Sequence, residues 1–217
     1  MFVVISRYTG TPNVFNCVNS IRAQHPKEEI LVVDSASEDK SYFDGFKNVP
    51  NVIVADANNK HYSTGALQYA YDNYERDYYY LWQDSMELNA NLDYCKNFKL
   101  SVWAYFSMVP YGLQEEAWAR EQCAKYTAFT IPPIPYYDSW GIAGGIIFCP
   151  RETLDHLYST GFKNILEDTK DKNQAMERMY GMAFTQLGYN IKENSLLGDW
   201  QSPSNMSIVT KHFLSRA

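Results

Sequence analysis

The sequence has no apolar run long enough to cross a membrane, and its N-terminus lacks a signal-peptide pattern. It shows no internal repeat and no low-complexity segment. Its cysteines are few and scattered, and no pair of them has metal-site or redox spacing; they are Cys17, Cys95, Cys123 and Cys149. These absences predict a soluble protein of the cytoplasm, a reducing compartment, in which most of the cysteines are small core residues.

Positive charge is also in short supply. Lysine and arginine number 19 against 25 aspartates and glutamates among the 217 residues, so the net charge is −6. A nucleic-acid surface needs clustered positive side chains, so nucleic acid is excluded as a partner. An anionic ligand would need a metal ion, an arginine or helix N-termini. The hydrophobic content of 46% is enough for a full core.

Short apolar runs alternate with helical patterns in the first half. Residues 2–5, 30–33 and 52–54 predict buried strands. Between the first two strands, apolar residues at Val14, Cys17, Val18 and Ile21 follow the spacing of one helical face. A further helix is expected to open at Gly65. This alternation predicts a parallel sheet with right-handed crossovers, buried on both faces.

The second half is less regular. Residues 100–108 predict one strand, 115–125 a helix and 146–148 another strand. The proline-rich segment 131–135 predicts an extended loop, because proline blocks both helix and central strand. A helix is expected to start at Pro150, and a long late helix to end near Gly188.

An aromatic run at residues 78–82 is followed closely by a carboxylate, Asp84, with Glu87 three residues on. A buried strand that stops at an acid places that acid at the carboxyl edge of a sheet, where open α/β folds bind ligands. Such a carboxylate suits Mg²⁺ or Mn²⁺ bridging to phosphate oxygens. A strand followed by a polar turn is the alternative. Two other strands also end in polar loops, and all three are expected to converge.

These loops resemble a known family. Residues 33–39, Val-Asp-Ser-Ala-Ser-Glu-Asp, are similar to the Val-Asp-Asp-Gly-Ser-x-Asp loop of nucleotide-sugar-dependent glycosyltransferases of the GT-A fold. Residues 58–66 resemble the loop and helix start that close over the base there, and Asp84 lies where that family carries its Asp-x-Asp motif. The compact size and the Arg-Tyr-Thr-Gly opening also resemble glycosyltransferase domains encoded by large algal (chlorella) DNA viruses.

The resemblance implies an α/β, Rossmann-like GT-A fold: a mostly parallel central sheet flanked by helices, with a smaller acceptor-side sheet. It implies one domain over 1–217, with 1–90 binding the nucleotide sugar and 91–217 the acceptor. The candidate donor-binding residues are Ser6, Arg7, Tyr8, Asp34, Ser35, His61, Gly65, Gln83 and Lys211. For three of these, other roles stay open: Asp34 as a turn former, Arg7 in a surface ion pair and Tyr8 as a cover for the sheet edge.

The implied cofactor is Mn²⁺ or Mg²⁺, with Asp84 as its ligand and His212 as a second candidate ligand. The sequence departs from the family here, because Gln83 and Ser85 flank Asp84 and a strict Asp-x-Asp is missing. Glu87 would add a second carboxylate only if it turned inward.

An inverting transferase needs a general base near the acceptor hydroxyl. In the family that base opens a late helix about three turns before a glycine, and Glu177, which lies 11 residues before Gly188, matches this spacing. Glu167 and Asp168 are rivals, and a solvated helix glutamate is the alternative. Trp140, Gly144 and Trp200 are the candidate acceptor-binding residues, since tryptophan offers a stacking face and glycine allows close approach. Tight packing of a bend is the alternative for the segment that holds Trp140 and Gly144.

The preferred hypothesis is a metal-dependent, inverting glycosyltransferase that moves a sugar from a UDP-sugar donor to a glycan hydroxyl, with Asp84 and Glu177 as catalytic residues. A non-catalytic nucleotide- or carbohydrate-binding module is the alternative from another class. A sugar-phosphate nucleotidyltransferase is disfavoured, because the loop from Ser6 to Gly10 holds only one glycine. The sequence carries no signal for an oligomeric state.

Overall fold

The computed structural model describes residues 1–7, 11–58, 61–136, 139–203 and 206–212. The helices of these residues are α1 (Asn13–Gln24), α2 (Tyr62–Asn73), α3 (Glu116–Tyr126), α4 (Arg151–Ser159) and α5 (Lys170–Gln186). The strands are β1 (Phe2–Ser6), β2 (Ile30–Asp34), β3 (Val52–Asp56), β4 (Tyr78–Gln83), β5 (Met86–Leu88), β6 (Ser101–Val102), β7 (Tyr105–Ser107), β8 (Trp140–Ile142), β9 (Ile147–Pro150) and β10 (Val209–Lys211).

The central sheet has the strand order β3-β2-β1-β4-β9-β6. Its first four strands are parallel, and β9 runs antiparallel to both of its neighbours. Two short antiparallel pairs, β5 with β10 and β7 with β8, lie outside this sheet. The expected fold class is therefore confirmed: a mixed α/β chain with a mostly parallel central sheet, flanking helices and smaller additional sheets.

The two faces of the sheet carry separate apolar layers, because side chains alternate along each strand. In β4, Tyr80 and Trp82 belong to the layer that also holds the buried face of α1, whereas Tyr79 and Leu81 belong to the layer covered by α2, α4 and α5. Each of these four side chains is at most 1% exposed. Fully burying a large apolar side chain contributes about 1.5–3 kcal/mol, so this strand is a main source of stability.

Two predicted elements differ from the structure. Residues 100–108 form two strands, because β6 pairs with β9 in the central sheet whereas β7 leaves it to pair with β8. α2 begins at Tyr62, earlier than the expected start at Gly65, and the Gly65 amide already donates to the His61 carbonyl oxygen at 2.6 Å. As expected, residues 131–135 form neither helix nor strand.

All four cysteines are buried free thiols. Cys17 lies on the core face of α1, and Cys149 lies in β9. Burial raises the pKa of both thiols well above its ordinary value, which disfavours the reactive thiolate. Within the described part of the chain, no helix is long and apolar enough to cross a membrane.

Candidate active site

A cavity of about 310 Å³ lies at the carboxyl ends of β1, β2 and β4. We call it the strand-end cavity. The parallel register aligns Ser6 with Asp34 and Ile5 with Gln83, so the loops that follow the three strands meet at one edge of the sheet. The loops contribute Arg7, Ser35, Asp84 and Ser85 to the lining, and Ile5 and Gln83 complete this wall. Ligands of parallel α/β sheets bind at this edge.

Asp84 connects the ends of two of these strands. Its Oδ2 accepts hydrogen bonds from Ser6 Oγ at 3.1 Å and from the Arg7 amide at 3.2 Å. The Asp84 amide in turn donates to the Ile5 carbonyl oxygen at 3.1 Å. The Asp84 carboxylate is therefore held in place beside the cavity by the Ser6 hydroxyl and the Arg7 amide at the end of β1. Arg7 lines the cavity, and Tyr8 lies outside the described residues.

Asp34 has a supporting position. Its side chain is fully buried, and its two oxygens accept hydrogen bonds from the Tyr42 hydroxyl at 2.8 Å and the Ser37 amide at 2.9 Å. Burial and the bond to Asp34 raise the pKa of Tyr42 well above its usual value. Asp34 thus shapes the turn that presents Ser35 to the cavity, which matches the turn-forming alternative for this residue.

The start of α2 forms a second wall, through Tyr62 and Ser63. His61 does not line the cavity; its Nδ1 lies 2.5 Å from the carbonyl oxygen of Glu167. Gly65 is buried inside the first turn of the helix and does not line the cavity either. These two predicted donor residues therefore lie behind the wall.

The third wall is the first half of α5. Residues Lys170, Asn173, Gln174 and Glu177 follow the i, i+3, i+4, i+7 spacing and all line the cavity. The core face of the same helix is apolar and includes Met176, Met179, Tyr180, Ala183 and Phe184, as the sequence predicts. Thr169 caps the helix, because its hydroxyl accepts from the Lys172 amide at 3.3 Å.

Glu177 is the titratable group best suited to proton transfer in this cavity. Burial raises its pKa to about 7, against the opposing influence of Arg178, of a hydrogen bond from the Gly144 backbone and of Lys211. The rival Glu167 is fully buried, does not line the strand-end cavity, and has a pKa raised to about 8 by burial. The other rival, Asp168, is exposed and pairs with Lys172 at 2.7 Å, which lowers its pKa.

A second cavity of about 460 Å³, the aromatic cavity, adjoins the first. Its aromatic side chains are Trp103, Phe106, Tyr111 and Trp200. Both cavities are lined by the same four polar side chains, Gln83, Lys170, Gln174 and Glu177. Glu177 therefore lies at the boundary between a polar cavity at the strand ends and an aromatic one beside it.

Gln83 and Gly144 also meet at this boundary. Gln83 Nε2 donates to the Gly144 carbonyl oxygen at 3.2 Å, and Gln83 Oε1 accepts from the ammonium group of Lys211. Lys211 and Gly144 both line the aromatic cavity. Gly144 has a φ of +66°, a left-handed conformation that glycine adopts without strain.

The two candidate acceptor tryptophans are separated. Trp200 lines the aromatic cavity, with its ring centroid 5.1 Å from that of Trp103. Trp140 lies instead in a different cavity of about 250 Å³, with the Lys192 ammonium 4.2 Å from its ring centroid. The pairing of β7 with β8 explains this separation, because Phe106 shares a sheet face with Gly141 whereas Trp140 is on the other face.

A divalent ion at the strand-end cavity would be held by Asp84, whose carboxylate is a hard oxygen ligand. No group of three histidine, cysteine, aspartate or glutamate side chains comes together in the described ranges, so Asp84 would need further ligands from outside such a group. His212 lines neither cavity; its Nε2 is 2.8 Å from Glu87 Oε1 on the β5–β10 pair. One carboxylate fits a divalent ion only where a bound ligand completes its coordination.

Several lining residues were missed by the sequence analysis. Lys170, Asn173, Gln174 and Arg178 lie on the polar side of α5, and their helical spacing around Glu177 was a usable signal. Trp103 had no such signal, since its position depends on the departure of the chain from the central sheet after Val102.

No protein-family model and no curated protein matches this chain. Solved structures similar to it include S. aureus TarS 1–349 in complex with UDP, at 16% identity and TM-score 0.40, over 48% of this chain and 34% of that chain. GalNAc-T7 with UDP, GalNAc and Mn²⁺ is similar at 13% identity and TM-score 0.49, over 72% of this chain and 35% of that one. A further structure of S. aureus TarS 1–349 is similar at 13% identity and TM-score 0.47, over 83% of this chain and 54% of that chain.

The chain thus spans between 34% and 54% of the length of these similar structures.

Proposed function

We propose that this protein is a glycosyltransferase of the GT-A type that transfers a sugar from a UDP-sugar to a glycan hydroxyl with inversion. One observation carries the proposal. Glu177, a glutamate with a pKa near 7, lines two adjoining cavities, one of them at the strand ends beside Asp84. A group at such a boundary can take a proton from an acceptor in one cavity as the acceptor attacks a donor in the other.

The donor is assigned to the strand-end cavity. Its polar groups, including Arg7, Ser35 and Gln83, suit ribose and phosphate oxygens, with Ser6 supporting Asp84. The acceptor is assigned to the aromatic cavity, where Trp200 offers a face for a sugar ring and Gly144 allows close approach. Uridine as the base stays a prediction, as do a contact from Tyr8, a viral origin and a cytoplasmic location.

In the proposed reaction, the ionised Glu177 carboxylate accepts the proton of the acceptor hydroxyl. The hydroxyl oxygen forms a bond to the anomeric carbon as that carbon's bond to the diphosphate breaks. The carbon inverts, and the electron pair leaves with the diphosphate. A pKa near 7 keeps Glu177 able to accept this proton at neutral pH.

The leaving diphosphate gains negative charge, which must be stabilised. A Mn²⁺ or Mg²⁺ ion held by Asp84 would supply part of that stabilisation when bound. The chain's own residues supply more: Arg7 and Lys170 line the strand-end cavity, and Lys211 is bonded to the neighbouring Gln83 and Ser85. The first turn of α5 adds the positive end of a helix dipole on the same side.

The test is the release of free nucleotide from a panel of nucleotide sugars, with and without Mn²⁺. We expect slow, metal-dependent release from one uridine-linked sugar. Asp84→Asn should lower that release by at least a hundredfold, since it removes one of the two carboxylates that line this cavity among the described residues, the other being Glu177 on α5. Asp56→Asn is the matched control, because Asp56 also ends a parallel strand but lines neither cavity.

Two results would count against the proposal. Unchanged release by Asp84→Asn would remove Asp84 from the mechanism. Nucleotide binding without release from any donor, even with acceptors present, would instead favour the alternative, a non-catalytic binding module.

A further inference from the structure

The aromatic cavity has an excess of positive charge. Its charged lining residues are Lys170, Arg178 and Lys211 against one acid, Glu177. The chain as a whole carries a net charge of −6, so a cationic cavity is a local departure from the composition. Lys170 and Lys211 also serve the diphosphate in the proposed reaction, so Arg178, which does not line the strand-end cavity, is the cation that indicates a negatively charged ligand here.

Arg178 is the strongest of these indications. It is only 6% exposed, yet no carboxylate in the described ranges lies within ion-pair distance of its guanidinium. Its Nε donates to the Gly112 carbonyl oxygen at 2.9 Å, and its Nη1 to the Gln174 carbonyl oxygen at 2.6 Å. The charge of Glu177 acts on Arg178 without lying within ion-pair distance of it, so an anionic group of a ligand could still pair directly with the guanidinium.

Trp103 gives an independent indication. Its side chain lines the same cavity and is 3% exposed, and its indole Nε1–H is buried without a hydrogen-bond partner. A buried N–H without a partner costs free energy, which marks Trp103 as a position under strain beside the cavity. The neighbouring ring of Trp200, 5.1 Å away between centroids, adds a second aromatic surface.

We propose that the aromatic cavity binds a sugar that carries a carboxylate or a phosphate, with the anionic group paired to Arg178 and the ring against Trp103 and Trp200. Calling this sugar the acceptor rests on the proposed function; its binding to the cavity does not. Within the proposed reaction, the anion would hold the acceptor so that a hydroxyl approaches Glu177.

The test is binding followed by tryptophan fluorescence and calorimetry, with and without saturating UDP, at constant ionic strength. The probes are matched sugars: glucose and galactose as neutral forms, glucuronate and galacturonate as carboxylates, and glucose 6-phosphate as the phosphate. We expect at least one charged form to bind ten or more times more tightly than its neutral partner. The carboxylate and phosphate arms then show which anion the cavity prefers.

Arg178→Met should abolish that preference without changing the affinity for the neutral sugar. Arg120→Met is the matched control, because Arg120 also donates to two backbone carbonyl oxygens but lines neither cavity. Equal binding of charged and neutral sugars, or no binding of any, would overturn the inference even if Arg178→Met did not fold. An equal loss of both sugars in Arg178→Met would also overturn it, since Arg178 would then only support the loop at Gly112.

These outcomes are separable from failure of the proposed function. Release of nucleotide from the donor needs no acceptor, so it can occur while the anionic preference is absent. Conversely, an anionic sugar can bind the cavity in a protein that releases no nucleotide.

Discussion

The ammonium group of Lys211 donates a hydrogen bond of 2.7 Å to the hydroxyl of Ser85, one residue beyond Asp84. The same ammonium donates to Gln83, one residue before Asp84. The β5–β10 pair makes this possible, because Lys211 is aligned with Met86 directly after the turn. A fixed positive charge is thereby joined to both neighbours of the strand-end carboxylate.

Lys211→Met should therefore slow nucleotide release. The change removes a positive charge near the leaving diphosphate, and losing one preorganised electrostatic group costs about 10²–10³ in kcat. We expect the KM for the donor to change much less. Lys211→Arg keeps the charge and should recover part of the rate, whereas Lys192→Met, at the Trp140 cavity, serves as a control. Equal losses in kcat from both methionine variants would contradict a role for Lys211.

Glu177 should make kcat/KM fall as the pH is lowered below neutral. A general base works in its ionised form, and burial raises the pKa of Glu177 to about 7. We expect kcat/KM to fall about tenfold for each pH unit below 7. Glu177→Gln should lose most of the transfer activity and the fall at low pH together. Asp171→Asn, an exposed acid on the same helix, should keep both. If the residual activity of Glu177→Gln still fell at low pH in the same way, Glu177 would be excluded as the source of that fall.

Glu167 should make the folded state less stable as the pH rises. Burial raises its pKa from 4.5 to about 8, and its Oε2 has no hydrogen-bond partner. The folded state therefore favours the neutral acid. The associated stabilisation is fully present below about pH 4.5 and is lost as the pH rises through about 8, at about 1.4 kcal/mol per tenfold change in proton affinity.

Thermal unfolding between pH 5 and pH 9 tests this expectation. Glu167→Gln should flatten the decline of the melting temperature between these limits, because glutamine cannot ionise. Glu177 contributes in the same direction, so the double variant with Glu177→Gln should be flatter still. An unchanged slope in the double variant would show that neither acid titrates abnormally.

Gly144→Ala should reduce both stability and activity. A Cβ at this position would lie 2.9 Å from Gln83 Nε2, and the φ of +66° is unfavourable for alanine by about 1–2 kcal/mol. Gly188→Ala is the matched control: its φ is +87°, but a Cβ there meets nothing within 4 Å. We expect both variants to lower the unfolding free energy and only Gly144→Ala to slow nucleotide release. A slower release by both would indicate a general loss of stability.

The sequence was most informative where local pattern decides structure. Strands that end in polar residues predicted the position of Asp84, and the apolar face of the late helix predicted the helix that carries Glu177. The choice of Glu177 as the base came from the family resemblance and its spacing to Gly188, and it stays a prediction. Asp34 and Trp140 show the limit of this approach. The first is buried by Tyr42 and Ser37, and the second is turned away by the register of a two-stranded sheet. Both placements depend on long-range packing that short motifs do not encode.

The aromatic cavity shows the same limit more clearly. Trp103 and Arg178 are 75 residues apart in the sequence, and they line one cavity only because the chain leaves the central sheet after β6. A helical stripe could have indicated Arg178 through its position four residues after Gln174. Nothing local distinguishes Trp103 from the other buried aromatic residues of a chain with 18 tyrosines and 11 phenylalanines.

The four buried cysteines allow local unfolding of this protein to be measured at four places in the fold. Since each thiol is buried in the folded chain, an alkylating reagent can reach it only when the surrounding element detaches. Cys17 reports on α1, Cys95 on the turn after β5, Cys123 on α3 and Cys149 on the central sheet. The order in which mass spectrometry finds them labelled would rank these parts of the fold by their local stability, without introducing any probe.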